Sequence, residues 1–377
     1  MVIIHYPLAK PHIGKEEERA VLKTLRSGVL SMGPAITEFE KRFARFVGTK
    51  YAVAVSSGTA GLHLALIGAG IKEGDEVITS PFSFVASANA ILYVGATPVF
   101  TDVDPNTFNI DPMGIEKKIT PRTKAILVVH IFGQSADMNQ ILALARKHKL
   151  KIIEDACESL GATYKGGENG IARMVGTFGE SGVFAFYPNK QMTTGEGGMI
   201  VTNSKKLCAL LRSLRNQGRG KNMQWLSHER LGYNYRMDEM SAALGLVQLR
   251  KIRFLIRERQ KIAVWYHRFL SKQACGIQPL KVAIGNTNTW FVYPVLLPSG
   301  VNRNSVVERM EKRGINTKPY LPSIHLFGFY KKRFGFKKGD FPISEEVSER
   351  VLALPFYIGL TKNDIGLIVD ALTESLA

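Results

Sequence analysis

A lone lysine, Lys190, stands in the polar, glycine-rich stretch Phe184-Ala185-Phe186-Tyr187-Pro188-Asn189-Lys190-Gln191-Met192-Thr193-Thr194-Gly195-Glu196-Gly197-Gly198. A lysine in such a turn is either a solvated cation or, where burial and neighbours strip its proton, a nucleophile that joins a carbonyl as an imine. Upstream, Glu154-Asp155-Ala156-Cys157-Glu158 closes a very apolar run. Its acidic pair could bind a metal, cap a helix or meet a cationic ring nitrogen, and no nearby His/Cys ligand set supports a metal. The third candidate is Ser56-Ser57-Gly58-Thr59-Ala60-Gly61. Small residues let the backbone approach a ligand, and a helix beginning there offers free N–H groups to a phosphate. It is neither a P-loop nor GxGxxG, and a simple helix cap is its plainer reading.

The elements that must position these groups follow from hydrophobic periodicity. Helical spacing appears in Glu16 to Arg26 and Ile36 to Phe46. Strand and helix then alternate: Tyr51 to Val55, Thr59 to Ile67, Glu76 to Thr79, Val85 to Tyr93, Pro98 to Thr101, Met113 to Ile119, Ala125 to Ile131, Met138 to His148 and Lys151 to Asp155. Short β-branched runs alternating with helices predict βαβ units and a mostly parallel sheet covered on both faces. Strands Ser181 to Phe186 and Met199 to Thr202 close this region. A long helix is predicted over Leu244 to Leu270, then a strand over Thr287 to Leu297 and helices over Ser305 to Lys312, Ser344 to Leu352 and Lys362 to Ser375. In sheets of this kind ligands sit at the carboxyl ends of the strands, where all three loops fall. Together they supply a phosphate cradle, a carboxylate for a pyridinium nitrogen and an imine-forming lysine, the three groups that pyridoxal phosphate requires of its protein.

Composition bounds the class. The 377 residues are 45% hydrophobic and 22% charged, values of a globular chain with room for two domains. Three cysteines are too few for a disulfide framework or a four-thiolate zinc site. The first residues lack the basic flank and long apolar core of a signal peptide, and no apolar run approaches the roughly 20 residues that span a bilayer. The expectation is a cytoplasmic protein with no membrane partner. The net charge is +18, and residues 1–200 hold 21 basic and 19 acidic groups against 29 and 13 in residues 201–377. The excess concentrates in Lys205 to Lys221, Arg250 to Lys272 and Lys331 to Lys338, a field that suits a polyanion or a diphosphate-bearing small molecule, or is simply a solvated basic surface.

The ordered set of motifs resembles the DegT/StrS family of sugar-nucleotide aminotransferases, nearly end to end. It comprises Lys10-Pro11, Gly14 to Glu18, Gly33-Pro34, Glu38-Phe39-Glu40, Ser57-Gly58-Thr59, Glu154-Asp155-Ala156, Tyr187-Pro188-Asn189-Lys190, Thr193 to Gly198, Gly232-Tyr233-Asn234-Tyr235-Arg236-Met237 and Leu354-Pro355. The resemblance implies the α/β fold type I of pyridoxal-phosphate-dependent transferases. A large domain over residues 1–245, with an N-terminal helical segment, would carry a mixed, mostly parallel sheet flanked by helices. A smaller C-terminal α/β domain over 246–377 would include the bridging helix.

By resemblance, Lys190 holds the cofactor as an imine and, once released, moves the proton between carbon atoms; Asp155 keeps the pyridine nitrogen protonated. Gly58 and Thr59 bind the phosphate, Phe84 stacks on the ring, and Glu158 faces the phenolic oxygen, where relatives often have Gln or His. A glutamate there leans towards perosamine-type, GDP-linked substrates. Asn234 reaches the phosphate of a neighbouring subunit, which implies a homodimer with shared active sites. His325 lies in a loop that approaches the site, and Arg212, Arg215, Arg219 and Lys221 are candidates for a nucleotide diphosphate. One departure stands out: relatives carry a serine five residues before the lysine, and here that position is Ala185, a loss that Ser181, Ser57 or water would have to make good.

With a lysine rather than a histidine at 190, the expected reaction is transamination. L-Glutamate gives its amino group to pyridoxal phosphate, and the pyridoxamine phosphate so formed passes it to a nucleotide-linked ketosugar, at C4 or next at C3, for surface polysaccharide or amino-sugar synthesis. A nucleic-acid-binding or regulatory protein built on the basic half is the alternative from another class, and no helix-turn-helix, zinc finger or RNA-binding aromatic motif supports it. A cofactor-binding member with lapsed activity is the third, and its support is Ala185.

Overall fold

The computed structural model describes residues 5–166, 170–220, 227–273 and 275–376. Two helices lead, α1 (Lys15–Ser27) and α2 (Pro34–Val47). The alternating region runs β1 (Tyr51–Val55), α3 (Gly58–Gly68), β2 (Glu76–Thr79), α4 (Ala86–Tyr93), β3 (Thr97–Phe100), α5 (Pro112–Glu116), β4 (Thr123–Val129), α6 (Met138–His148) and β5 (Lys151–Asp155). A hairpin, β6 (Thr163–Lys165) and β7 (Ala172–Met174), precedes β8 (Ser181–Ala185), β9 (Gly198–Thr202) and α7 (Lys205–Arg215). Then come α8 (Glu239–Leu270), β10 (Gln278–Pro279), β11 (Tyr293–Leu296), α9 (Arg303–Lys312), β12 (Lys318–Pro319), α10 (Gly328–Phe334), α11 (Pro342–Arg350), β13 (Val351–Leu354) and α12 (Lys362–Glu374).

Seven strands form one sheet in the order β1-β9-β8-β5-β4-β2-β3, in which β9 pairs antiparallel with both its neighbours and every other pairing is parallel. Strands buried on both faces must be apolar throughout, as Ile-Leu-Val-Val of β4 and Ile-Ile of β5 are. One face is covered by α2, which buries Ile36, Phe39, Phe43, Ala44 and Val47 at helical spacing. Phe39 and Phe43 pack on Phe184 and Phe186 of the β8 region, with Leu249 and Ile252 of α8 in the same cluster. Because β4, β5 and β8 are parallel, Val129, Asp155 and Ala185 emerge on the same edge.

The second sheet, β10-β11-β13-β12, is antiparallel throughout. Here the helix expected over Ser344 to Leu352 is shorter: α11 stops at Arg350, and Val351-Leu352-Ala353-Leu354 becomes the central strand β13. Four consecutive buried apolar residues suit a strand paired on both sides, and a run this short carries no period that separates it from a helix.

The 32-residue helix α8 joins the parts. Its Glu239 carboxylate accepts the Ala35 and Ile36 N–H groups at 2.8 and 3.0 Å, capping α2. Gln248 donates to the His12 carbonyl at 2.9 Å, and the Tyr266 hydroxyl donates to the Pro355 carbonyl at 2.7 Å.

Candidate active site

Lys190 follows β8 in a turn whose Lys190 N–H donates to the Tyr187 carbonyl at 2.9 Å. Its ammonium lies 3.9 Å from Oε1 of Glu158 and 3.8 Å from the centroid of the Phe291 ring. Neither contact is a hydrogen bond, so the amine is held near its partners without being locked to them. Glu158 is buried, and its Oε2 accepts the Phe132 N–H at 3.0 Å. Burial raises its carboxyl above the usual range and Asp155 adds to the rise, while Lys190 and the Phe132 N–H pull the other way. Phe132 sits at φ +53, a backbone region where a bulky residue is strained, so a loop paying that conformational cost aims the N–H at Glu158.

The acidic pair at the end of β5 divides by pleat. Glu154 is wholly buried and structural, accepting from His130 Nε2, Gly176 N–H, Phe178 N–H and Gly179 N–H at 2.6 to 3.0 Å. Asp155 faces the other way. Its Oδ2 accepts the Ser87 hydroxyl at 2.6 Å, Ser87 shares a 2.8 Å hydrogen bond with Ser83, and Oδ1 accepts the Cys157 N–H at 3.2 Å. Asp155, Glu158 and Lys190 all act electrostatically on the half-buried Cys157 thiol, which loss of solvation above all pushes well up. One small region therefore holds all four groups.

Gly58 opens α3, whose N-cap Ser57 accepts the Ala60 N–H at 3.1 Å. A Cβ on Gly58 would come within 2.8 Å of the Ala185 Cβ and 2.9 Å of the Cys157 sulfur, so only glycine fits. Thr59 follows it, half-buried. Ala185 thus faces the start of α3, where a serine hydroxyl would meet the helix N-terminus. The two protein hydroxyls offered as its substitute are placed differently. Ser181 lies at the opposite end of β8, beside Ile153 rather than Asp155, whereas Ser57 caps α3 through its oxygen and keeps its O–H to donate.

Phe84 is an exposed aromatic in the turn before α4, 62% accessible. Asn234 is exposed between Tyr233 and Tyr235, whose rings stack at 5.1 Å, and Tyr235 accepts the Ser56 N–H at 2.9 Å. The candidate cations Arg212 and Arg215 and the candidate histidine have partners within the chain. Arg212 and Arg215 are committed to Glu40 at 2.8 and 2.5 Å, bracing α7 against α2. His325 is fully buried, with Nε2 3.0 Å from Glu345 Oε1 and its ring 4.7 Å from that of Phe341, so it ties a loop to α11. Arg219 is half-buried in the turn after α7, where its carbonyl accepts the Ser213 hydroxyl at 2.6 Å. Lys221 lies outside the described residues.

Several groups at the site carry no sequence signal. Ser87 holds Asp155, Phe291 covers the Lys190 amine, and Tyr320 takes a 3.3 Å hydrogen bond from Asn189 with its ring 5.6 Å from that of Phe291. Burial, with Glu158 nearby, raises the Tyr320 hydroxyl far above its ordinary value, so it stays protonated. Gln191 donates to the Glu158 carbonyl at 2.5 Å.

The donor set fits pyridoxal phosphate. It offers a glycine-opened helix start for a phosphate, a strand-end carboxylate for a ring nitrogen, an amine for a carbonyl and an exposed ring for stacking. Among the described residues no group of three His, Cys, Asp or Glu side chains could hold a metal ion.

The chain matches the DegT/DnrJ/EryC1/StrS aminotransferase family over residues 11–373. It is 40% identical over 381 residues to the spore coat polysaccharide biosynthesis protein SpsC of Bacillus subtilis, covering 98% of this chain and 96% of that one. It is 39% identical over 373 residues to the GDP-perosamine synthase of Caulobacter vibrioides, covering 98% of each. Among solved structures it superposes on PseC of Helicobacter pylori, an aminotransferase involved in the biosynthesis of pseudoaminic acid, with a TM-score of 0.91, 30% identity and 99% of each chain covered.

Proposed function

This chain belongs to the DegT/DnrJ/EryC1/StrS aminotransferase family, pyridoxal-phosphate-dependent sugar aminotransferases, and on that premise we propose that its amino acceptor is a nucleotide-linked ketosugar. L-Glutamate is the donor, and C4, or next C3, is the carbon aminated. GDP is the nucleotide to test first, since Glu158 stands at the phenolic-oxygen position and two GDP-perosamine synthases, from Caulobacter vibrioides and Escherichia coli O157:H7, are 39% and 36% identical to the chain. The product feeds surface polysaccharide or amino-sugar synthesis. The observation that carries the reading is the Lys190 amine, with no hydrogen bond to a described residue, within 4 Å of a buried carboxylate and an aromatic face.

Bound pyridoxal phosphate supplies an electron sink for negative charge developing at the substrate carbon. Gly58, Thr59 and the N–H groups opening α3 would hold its phosphate, Phe84 would cover its ring, and Lys190 would anchor its carbonyl. Asp155, fixed by Ser87 and the Cys157 N–H, keeps a proton on the ring nitrogen by presenting a negative charge that does not move. Glu158 faces the phenolic oxygen. The Lys190 amine, freed when substrate enters, takes and returns the proton at the substrate carbon. Phe291 and the raised, neutral Tyr320 exclude water from that transfer.

The same reading places the boundary between domains at 245/246, within α8; the strands of the larger sheet precede it and those of the smaller follow it. It also makes the protein a homodimer with shared sites. Exposed apolar side chains at Leu22, Leu25, Val29, Leu30, Met32 and Leu231, with the exposed Asn234, support a partner surface. No described helix is long and apolar enough to cross a membrane, and the proposed setting is the cytoplasm. An absorbance spectrum tests the core of this. A band at about 400–430 nm that L-glutamate converts to one near about 330 nm, absent in Lys190→Ala, is expected; no band after pyridoxal phosphate is added overturns it. A panel of GDP-, UDP- and dTDP-ketosugars then identifies the acceptor, and light scattering gives the assembly.

A further inference from the structure

Arg259 of α8 is 5% exposed and meets no carboxylate among the described residues. Its guanidinium donates instead to four main-chain carbonyls: Lys190 at 2.9 Å and Asn189 at 3.4 Å from Nη2, and Trp290 at 3.2 Å and Phe291 at 3.3 Å from Nη1. Burial lowers its pKa to about 10, which leaves it a cation at neutral pH. A buried, unneutralised cation is costly, and apolar side chains fill such space at less expense, so packing alone does not explain it. The four carbonyls belong to the two segments that meet at the reactive amine. Asn189-Lys190 carries the amine, and Trp290-Phe291 carries the ring centred 3.8 Å from it. The second segment is strained, with Trp290 at φ +50, and needs an outside hold.

We propose that Arg259 is a positioning residue for Lys190: its planar fork fixes the Lys190 backbone against the Phe291 backbone and so sets where the amine stands between the Phe291 ring and Glu158. The proposal rests on the reading of Lys190 as the cofactor-holding lysine. Lysine at 259 keeps a cation and much of the volume but, as a point donor, cannot hold both carbonyl pairs at once.

The test compares Arg259→Lys and Phe291→Leu with the parent, in the holoenzyme and after cofactor removal. In the holoenzyme, Arg259→Lys is expected to lower kcat per loaded site by about 10²-fold, the scale of a misplaced reacting group, with KM for L-glutamate changed less than about threefold. The pH midpoint of the cofactor's visible band is expected to shift in both variants. In the apoprotein, reductive methylation read peptide by peptide is expected to change at Lys190 by more than about threefold, with exposed lysines unchanged. The two substitutions act on one geometry, so their combined effect on kcat is expected to fall short of the product of the single effects. A merely structural Arg259 gives a lower Tm with kcat per loaded site, band midpoint and Lys190 methylation all as in the parent, and that overturns the proposal. If Arg259→Lys does not fold, Arg259→Gln, whose single amide reaches only one carbonyl pair, is read in the same way: an unchanged band midpoint and Lys190 reactivity overturn the proposal. A parent enzyme with no band, or a band that survives Lys190→Ala, defeats the reading of Lys190 itself, a different result from any of these.

Discussion

Two buried carboxylates of this protein, Glu40 and Glu158, are treated in opposite ways. Glu40 accepts two guanidinium groups, at 2.5 and 2.8 Å, and the Ala54 N–H at 3.0 Å. Glu158 accepts one main-chain N–H, and its lysine stands off at 3.9 Å. The first arrangement spends its charges on geometry: α2, β1 and α7 are pinned by one carboxylate with three donors on its two oxygens. In the second, burial above all raises the carboxyl, and the lysine is held by an ion pair too long to be a hydrogen bond. The contrast teaches that a charge pair close to saturation holds a fold, whereas one left short of it is available for chemistry.

The contrast can be broken from either side. The largest effect is expected at Lys190, where Lys190→Ala should cost at least about 10³-fold in kcat with Tm nearly unchanged, measured by glutamate half-reaction and thermal unfolding. Asp155→Asn keeps the Ser87 contact but removes the fixed charge, and should lower kcat by about 10²-fold without unfolding the protein. Glu40→Ala is the converse: it strands two arginines and should lower stability by about 3 kcal/mol in denaturant titrations, with kcat per folded molecule unchanged.

Glu158→Gln sharpens the comparison through pH. The folded protein binds the Glu158 proton more tightly than the unfolded chain does. Its stability therefore falls as pH rises from the ordinary glutamate value of about 4.3 through the raised folded one. The glutamine variant escapes that loss, so its apoprotein should melt a few degrees above the parent at pH 8 and together with it near pH 4. The smallest effect is expected from Ala185→Ser, which restores a hydroxyl facing the start of α3 and should tighten cofactor binding by about threefold, read by equilibrium dialysis.

What could be read from the sequence was what lies close together along the chain. Lys190 in its glycine-rich turn, Asp155 at a strand end and Gly58 at a helix start each carry a local pattern, and the alternation of strands and helices places all three on one edge. Ser87 and Arg259 carry none. They are 68 and 69 residues from the groups they hold, on helices whose own periodicity gives them no mark. Partners far apart along the chain were equally silent. Arg212 and Arg215 meet Glu40, and His325 meets Glu345, across 172, 175 and 20 residues that no local pattern spans. Glu154 and Asp155 were inseparable as a pair of letters, and the strand's pleat sent one inward and the other to the site.

The length of α8 has a consequence for how this protein can change over generations. Glu239, Gln248, Arg259 and Tyr266 fasten it at four stations along one rod, which at 1.5 Å per residue puts the first and last about 40 Å apart. Between the stations, substitutions at exposed positions alter only the local surface, while buried ones such as Leu249, Ile252 and Leu255 belong to the core. A single inserted or deleted residue between Gln248 and Arg259 would instead turn everything beyond it by about 100° and swing the guanidinium off the lysine. Lineages descending from this sequence should therefore vary in the exposed letters of that helix and gain or lose length in the loops on either side, while its residue count stays fixed.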